Sequence, residues 1–315
     1  ETIYNYQKNR NPFIDSPELA RKVWNVRHWQ GSAANNYWDS AANWAPGGVP
    51  GREDTVILNG QETTGNFTVR VNTSAGHSAV QSLQVQPNSG QQITVKTQNS
   101  GTFEVSGDLV IGNNATLSGA TSRSGDLQVG GAFTNNGQLQ LNNGQHELVL
   151  NGSTDQSVKG LSRVNALTVK NPNGVTLQNS LSIVSGGTLT LSNGVVSFAN
   201  SSDQLAVSDD ATVNAASNSS YVRGTVEKTG DDSFSFPVGA NGKLAKVSIS
   251  APANTTDAFS ATYIDQKPGN SKSFASNNPG NGRLAKVSNN RYWDLKRVSG
   301  TSSVDVTLHW NSQTN

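Results

Sequence analysis

The feature that most constrains this chain is a loose repeat of about twenty residues running through positions 52–225. "SLQV" at 82 is followed by "DLVI" at 108, "DLQV" at 126, "ELVL" at 147, "ALTV" at 166, "TLTL" at 188 and "QLAV" at 204. Leu127 to Leu148 is 21 positions, Leu148 to Leu167 is 19 and Leu167 to Leu189 is 22. Each unit alternates apolar and polar residues over four or five positions. It then breaks at Gly or Asn, as in "NNG" at 135 and 142, "NPNG" at 171, "SGG" at 185 and "SNG" at 192. Period-two alternation bounded by turn residues marks short strands, and helical periodicity is absent. A unit this short cannot close a core of its own and must stack on its neighbours. The expected solution is a right-handed β-solenoid with three short strands per coil. Its inward stack would include Leu83, Leu109, Leu127, Leu148, Leu167, Leu189 and Leu205. An array of β-sandwiches with strand spacing near ten is the rival, since uneven unit lengths suit it too.

Composition agrees with many short strands joined by tight turns: 31 of 315 residues are Gly, and 33% are hydrophobic. Charged residues make up 14% and nearly balance at +1, where a general nucleic-acid binder would carry a basic face. Without Cys or Met, the fold uses neither disulfides nor thiolate ligands. No apolar run approaches the length of a membrane span. The chain has no signal peptide and does not begin with Met, so an internal or processed piece of a longer protein is expected.

Four zones are expected, at 1–24, 25–51, 52–225 and 226–315. In the first, "NRNPFIDSPELARKVW" signals one short helix: Asp15 and Ser16 are cap-type residues, Pro17 suits a first turn and Glu18 favours the positive dipole end. Leu19, Val23 and Trp24 form an apolar stripe that needs a partner, because a two-turn helix is marginal alone. The second zone holds Trp24, Trp29, Trp38 and Trp44, four of the six Trp if the helix end is included. It is either a cap closing the solenoid end or an aromatic platform for sugar rings, with Trp29, Trp38 and Trp44 as the carbohydrate-binding candidates. In the last zone Phe234, Phe236 and Val238, then Val304, Val306, Leu308 and Trp310, alternate cleanly. Polar connections such as "DQKPGNSKSFASNNPGNGR" separate these runs, so an incomplete antiparallel sandwich is expected. The fold class read from the sequence is therefore all-β, a right-handed parallel β-solenoid followed by an antiparallel β-sandwich, with one short N-terminal helix.

Catalytic patterns are weak. His28, His77, His146 and His309 are too scattered for a short-range ligand motif. A β-helix lyase or hydrolase would cluster carboxylates on adjacent coils. Glu104, Asp108, Asp126, Glu147, Asp155, Asp203, Asp209 and Asp210 do not recur in phase with the repeat. "SDD" at 208 and "GDD" at 230 read as turns, with weak Ca²⁺ binding as the alternative. No nucleophile elbow, P-loop or dinucleotide fingerprint occurs. No catalytic residue, metal site or other cofactor is assigned. "GKLAKVS" at 242 and "GRLAKVS" at 282 echo each other. They read as pseudo-repeated edge strands protected by basic residues, or as cations steering a polyanion.

"NRNPFIDSPELARKVW" resembles the C-terminal end of the bacterial endonuclease I family, except at Ser16. The resemblance implies that this helix once packed on an upstream, Mg²⁺-dependent ββα core, none of which is present. Residues 25–54 are similar to tails of secreted Bacteroidetes proteins, through Trp29, Gly31, Trp38, Asn43, Trp44, Pro46, Val49, Pro50, Gly51 and Asp54; "FSFPVG" and "RYWDL" add to the likeness. This second resemblance implies type IX export, an extracellular or outer cell-surface location and O-glycosylation at Ser40 and Thr55. The function expected is a non-catalytic extracellular scaffold or adhesive solenoid. The alternatives are a carbohydrate-binding module, or the accessory tail of a secreted Mg-dependent endonuclease. Expected partners are glycans, other surface proteins or further copies of the chain, with no specific nucleic-acid site and no membrane insertion.

Overall fold

The structure is a computed structural model that describes residues 12–73, 78–119, 125–141, 146–269 and 290–309, the side chains of Pro17 and Glu18 excepted. His77, Trp310 and the second basic echo at 282–288 lie outside the described residues, as do positions 9–11 of the opening motif. The chain is nearly all β, a β-solenoid of about seven turns with further sheets toward its C-terminal end and, among the described residues, two short α-helices. It divides into two compact units, 1–161 with 165–171, and 162–164 with 172–315.

In the first unit, coils contribute strands to three parallel sheets. Along the first sheet, Val56, Leu83, Leu109, Phe133 and Val158 stand in register. Val69, Val95, Leu117 and Leu139 do so along the second. Phe103, Leu127, Leu148 and Leu167 do so along the third. Alternation explains the burial: in Ile93–Gln98, Ile93 and Val95 point inward and are fully buried, while Thr94 and Lys96 remain partly accessible. Tight corners need special backbone, and Asn99 (φ 70°) and Asn114 (φ 61°) adopt the left-handed region that Asn tolerates best after Gly. At Gly160 (φ 77°) an added Cβ would lie 1.8 Å from the Asn135 carbonyl oxygen, so the corner admits only glycine.

The seven leucines expected to form one stack are all buried, yet they occupy different ladders. Leu83 and Leu109 share the first sheet, Leu127, Leu148 and Leu167 the third, Leu205 sits between Leu181 and Val226, and Leu189 pairs with Val213. Coils in the first sheet step by 24 to 27 residues, longer than the apparent period. The motif series therefore passes from one sheet to another between Leu109 and Leu127. Strands of one coil share the same alternation, and only the corners determine which sheet each joins.

The opening helix is broken in two, Pro12–Asp15 and Pro17–Val23. Ser16 between them has φ −139° and ψ 84° and makes no side-chain cap. Ser16 holds the N-cap position of the second piece with Pro17 in its first turn, as expected, and the ring of Pro17 disfavours helical geometry at the residue before it, which separates the two pieces. Leu19, Val23 and Trp24 are exposed, and Phe13 packs 5.6 Å from Trp24. Arg21 anchors the segment to Glu62 at 2.6 Å. Val26–Trp29 already pairs in parallel with Thr55–Asn59, so solenoid pairing begins inside the Trp-rich zone, before position 52.

In the second unit, Val175–Leu177, Val196–Phe198 and Val222–Arg223 form one parallel ladder. The 13-residue strand Leu181–Asn193 pairs with Gln204–Val207 through its first part and with Thr212–Asn214 through its second. The expected boundary at 225/226 falls inside the strand Thr225–Thr229. That strand is parallel to Gln204–Val207 on one side and antiparallel to Ala258–Ile264 on the other. Ala258–Ile264 in turn pairs with Tyr292–Ser299. The antiparallel region is thus continuous with the coil ladder, because one strand can serve both pairing modes along its two edges. A separate antiparallel sheet comprises Phe234–Phe236, Val247–Ile249 and Val306–Leu308, in that spatial order. The first basic echo supplies Lys243–Leu244 to a two-stranded sheet with Gly239–Ala240 and then leads into Val247–Ile249, the central strand of the three-stranded sheet.

Candidate functional site

The aromatic zone folds into a closed cluster. Trp29, Trp38 and Trp44 are buried, and Trp44 meets Trp29 edge-on at 5.0 Å and Trp38 at 4.8 Å. Phe103 continues the cluster from Trp38, and Phe67 stacks on Trp29 at an interplanar angle of 10°. Trp44 Nε1 donates to the Trp38 carbonyl oxygen at 2.7 Å, so the buried indole loses no hydrogen bond. A sugar platform requires exposed, coplanar indoles. These rings face one another and offer no face to a sugar, which corrects their assignment as carbohydrate-binding residues.

Two polar clips hold the cluster. Asn43 is fully buried; its Nδ2 donates to the Asn35 Oδ1 and the Asn35 and Tyr37 carbonyl oxygens, and its Oδ1 accepts from Ala33 N at 2.8 Å. Asp54 accepts from Gly51 N at 2.8 Å and from Arg27 Nε at 3.2 Å, while Arg27 also donates to the Pro46 and Gly47 carbonyl oxygens. Ser40, a glycosylation candidate, donates its hydroxyl to Asn35 Oδ1 at 3.0 Å. Thr55 opens the strand Thr55–Asn59, half-buried between Val26 and Ser82.

The remaining chemistry-bearing residues are mostly dispersed among turns. His28 and His146 are buried, and His309 Nε2 meets Ser248 Oγ at 2.6 Å. Glu104 takes a bidentate pair from Arg52, Asp108 accepts from Ala132 N, and Glu147 accepts from Thr168 Oγ1. Asp203 accepts from Asn200 and Ser180, which hold its carboxyl below the ordinary value, Asn200 most strongly.

The two acidic turns do converge. Carboxylate oxygens of Asp209, Asp231 and Asp232 lie within 4.8 Å of one another. Lys228, only 1% exposed, reaches into the same place. Its Nζ donates to the Ser208 carbonyl oxygen at 2.9 Å and to Asp232 Oδ2 at 2.8 Å, and it lies 5.7 Å from the Phe234 ring centre. A Ca²⁺ ion at these turns would share Asp232 with an ammonium group already inside the carboxylate shell. The hydrogen bond from Lys228 is the main cause holding the Asp232 carboxyl below its ordinary value.

Comparison with protein-family models, curated proteins and solved structures finds no match. Among the described residues no helix is long and apolar enough to cross a membrane.

Sequence reasoning missed the outward face of the second sheet. Tyr37 forms a parallel bridge to Arg70, Arg70 pairs with Lys96, and Lys96 pairs with Ser118, which pairs with Gln140. Five outward residues thereby form one row. The available signal was the shared "TV" followed by a cation in "FTVRVN" at 67 and "ITVKTQ" at 93.

Proposed function

We propose that this chain is a non-catalytic scaffold and adhesive region of a secreted or surface-anchored protein. The single observation supporting this is the first unit's construction. Inward ladders such as Val56, Leu83, Leu109 and Phe133 stack in register beneath the buried Trp29, Trp38 and Trp44 cluster, while outer positions such as Arg70 and Lys159 are exposed. Stacked repeats gain stability from nearest-neighbour contacts, so such a chain can be long and stiff with few hydrophobic residues. The test is surface labelling: an antibody against the chain, applied to intact producing cells and their medium, is expected to detect it outside. Detection only after lysis would overturn the proposal.

One observation favours a second reading, that of an accessory tail of a nuclease-like protein. Leu19, Val23 and Trp24 are exposed on the short helix, the stripe that the endonuclease resemblance would pack on an upstream core. A Mg²⁺-dependent DNA cleavage assay on protein purified from its source decides this. Cleavage would support the tail reading, and its failure at full purity would remove it.

A further inference from the structure

The row of outward residues on the second sheet places two like charges side by side. Arg70 and Lys96 are directly paired on adjacent parallel strands, about 4.8 Å apart. Their neighbours Val69 and Val95 are fully buried, so alternation turns both cations away from the core. Like charges in this position destabilise a sheet. Among the described residues, neither forms an ion pair with a carboxylate, whereas Arg21, Arg27 and Arg52 in the same unit each do.

The row is extended on one side by an aromatic ring. Arg70 N donates to the Asn36 carbonyl oxygen at 2.7 Å and Trp38 N to the Arg70 carbonyl oxygen at 2.9 Å. These bonds seat Tyr37 beside Arg70, where it is 43% exposed while the next residue, Trp38, is buried. On the other side follow Ser118 and Gln140, a hydroxyl and an amide. One straight line therefore offers an aromatic face, two uncompensated cations and two neutral hydrogen-bonding groups.

We propose that this row binds a linear uronic-acid polysaccharide lying across the strands. A sugar ring packs its apolar face on Tyr37, and guanidinium and ammonium groups meet successive carboxylates, Arg70 with bidentate geometry. Ser118 and Gln140 exchange hydrogen bonds with ring hydroxyls. Two cations beside a neutral hydroxyl and a neutral amide fit a polymer rich in hydroxyls better than a duplex, which requires several phosphate contacts for useful affinity. The assignment deepens the adhesive reading of the scaffold and rests on it only for the absence of cleavage.

The experiment is titration of the full 315-residue chain with polygalacturonate at low salt, with dextran and duplex DNA as controls. Binding to polygalacturonate but not dextran is expected. Arg70→Gln with Lys96→Gln, and separately Tyr37→Ala, should each raise Kd at least tenfold. Lys159→Gln, an exposed cation on another sheet, should bind as the parent does. If the double variant fails to fold by circular dichroism, Lys96→Gln alone carries the test. The proposal is overturned by no binding, by unchanged affinity in the row variants, by equal weakening in Lys159→Gln, or by duplex DNA binding as tightly. No binding would leave the scaffold reading standing. Loss of polymer viscosity during binding would remove the non-catalytic reading and leave the ligand assignment intact.

Discussion

Trp44 donates its indole N–H to the backbone carbonyl of Trp38 at 2.7 Å while the two rings meet edge-on at 4.8 Å. One residue thus supplies both buried area and a satisfied polar bond to the cluster at the start of the solenoid. Trp44→Ala should cost about 3–5 kcal/mol in chemical denaturation, through lost area and the cavity left behind. Iodide quenching of the intrinsic fluorescence should fall after Trp24→Phe, because Trp24 is exposed while Trp29, Trp38 and Trp44 are buried.

Asn43 tests the polar half of the same construction. Its side chain bonds backbone groups of Ala33, Asn35 and Tyr37 from a fully buried position. Asn43→Ala leaves those groups unpaired, and a loss of about 1–3 kcal/mol per group that water cannot reach is expected from urea titration. Asn43→Asp should also destabilise, because a carboxylate cannot donate to the two carbonyls.

The Arg70–Lys96 pair makes a stability prediction independent of any ligand. Lys96→Gln should stabilise the chain by about 0.2–1 kcal/mol at low ionic strength, by removing a like-charge neighbour. The gain should shrink as salt screens the parent. Thermal unfolding of both proteins across a salt series reads it. A stabilisation that persists unchanged in high salt would mean that repulsion is not its cause.

Asp232 and Lys228 predict part of the acid limb. The folded carboxyl titrates below its unfolded value, chiefly through the Lys228 hydrogen bond. Around that value the unfolded chain therefore binds more protons. The pair's contribution is present above the unfolded value of about 4, and it is lost as pH falls through the folded one. Asp232→Asn should flatten the fall in the urea midpoint below about pH 4. Because the Asp232 side chain is 39% exposed, the change should be small. Asp203 and Asp257, lowered chiefly by hydrogen bonds from Asn200 and Ser302, should preserve the rest of the limb.

Several residues show how much was legible in advance. Leu83 and Val85, or Leu127 and Val129, announce their inward direction by alternation alone, and all four are buried. The "SDD" and "GDD" turns were visible, while their meeting around Lys228 was not, since 20 residues separate Ser208 from that lysine. Trp29, Trp38 and Trp44 were legible as a group, but stacking on sugar and closing a coil end demand the same residue type. Their edge-on packing depends on Phe67 and Phe103 from other coils. Ser16 and Pro17 were legible as a cap and a first helical residue and hold those positions, although the Ser16 side chain makes no capping bond.

Local sequence determined the strands, the corners and the all-β class, because alternation and left-handed turn residues act within a few positions. Tertiary structure decided which ladder Leu127 joined, that Thr225–Thr229 pairs in both modes, and that Tyr37, Arg70 and Lys96 share one row. Those outcomes depend on hydrogen-bond register between segments some 20–40 residues apart. Register follows the length and geometry of each intervening corner, and no short stretch of sequence contains that information.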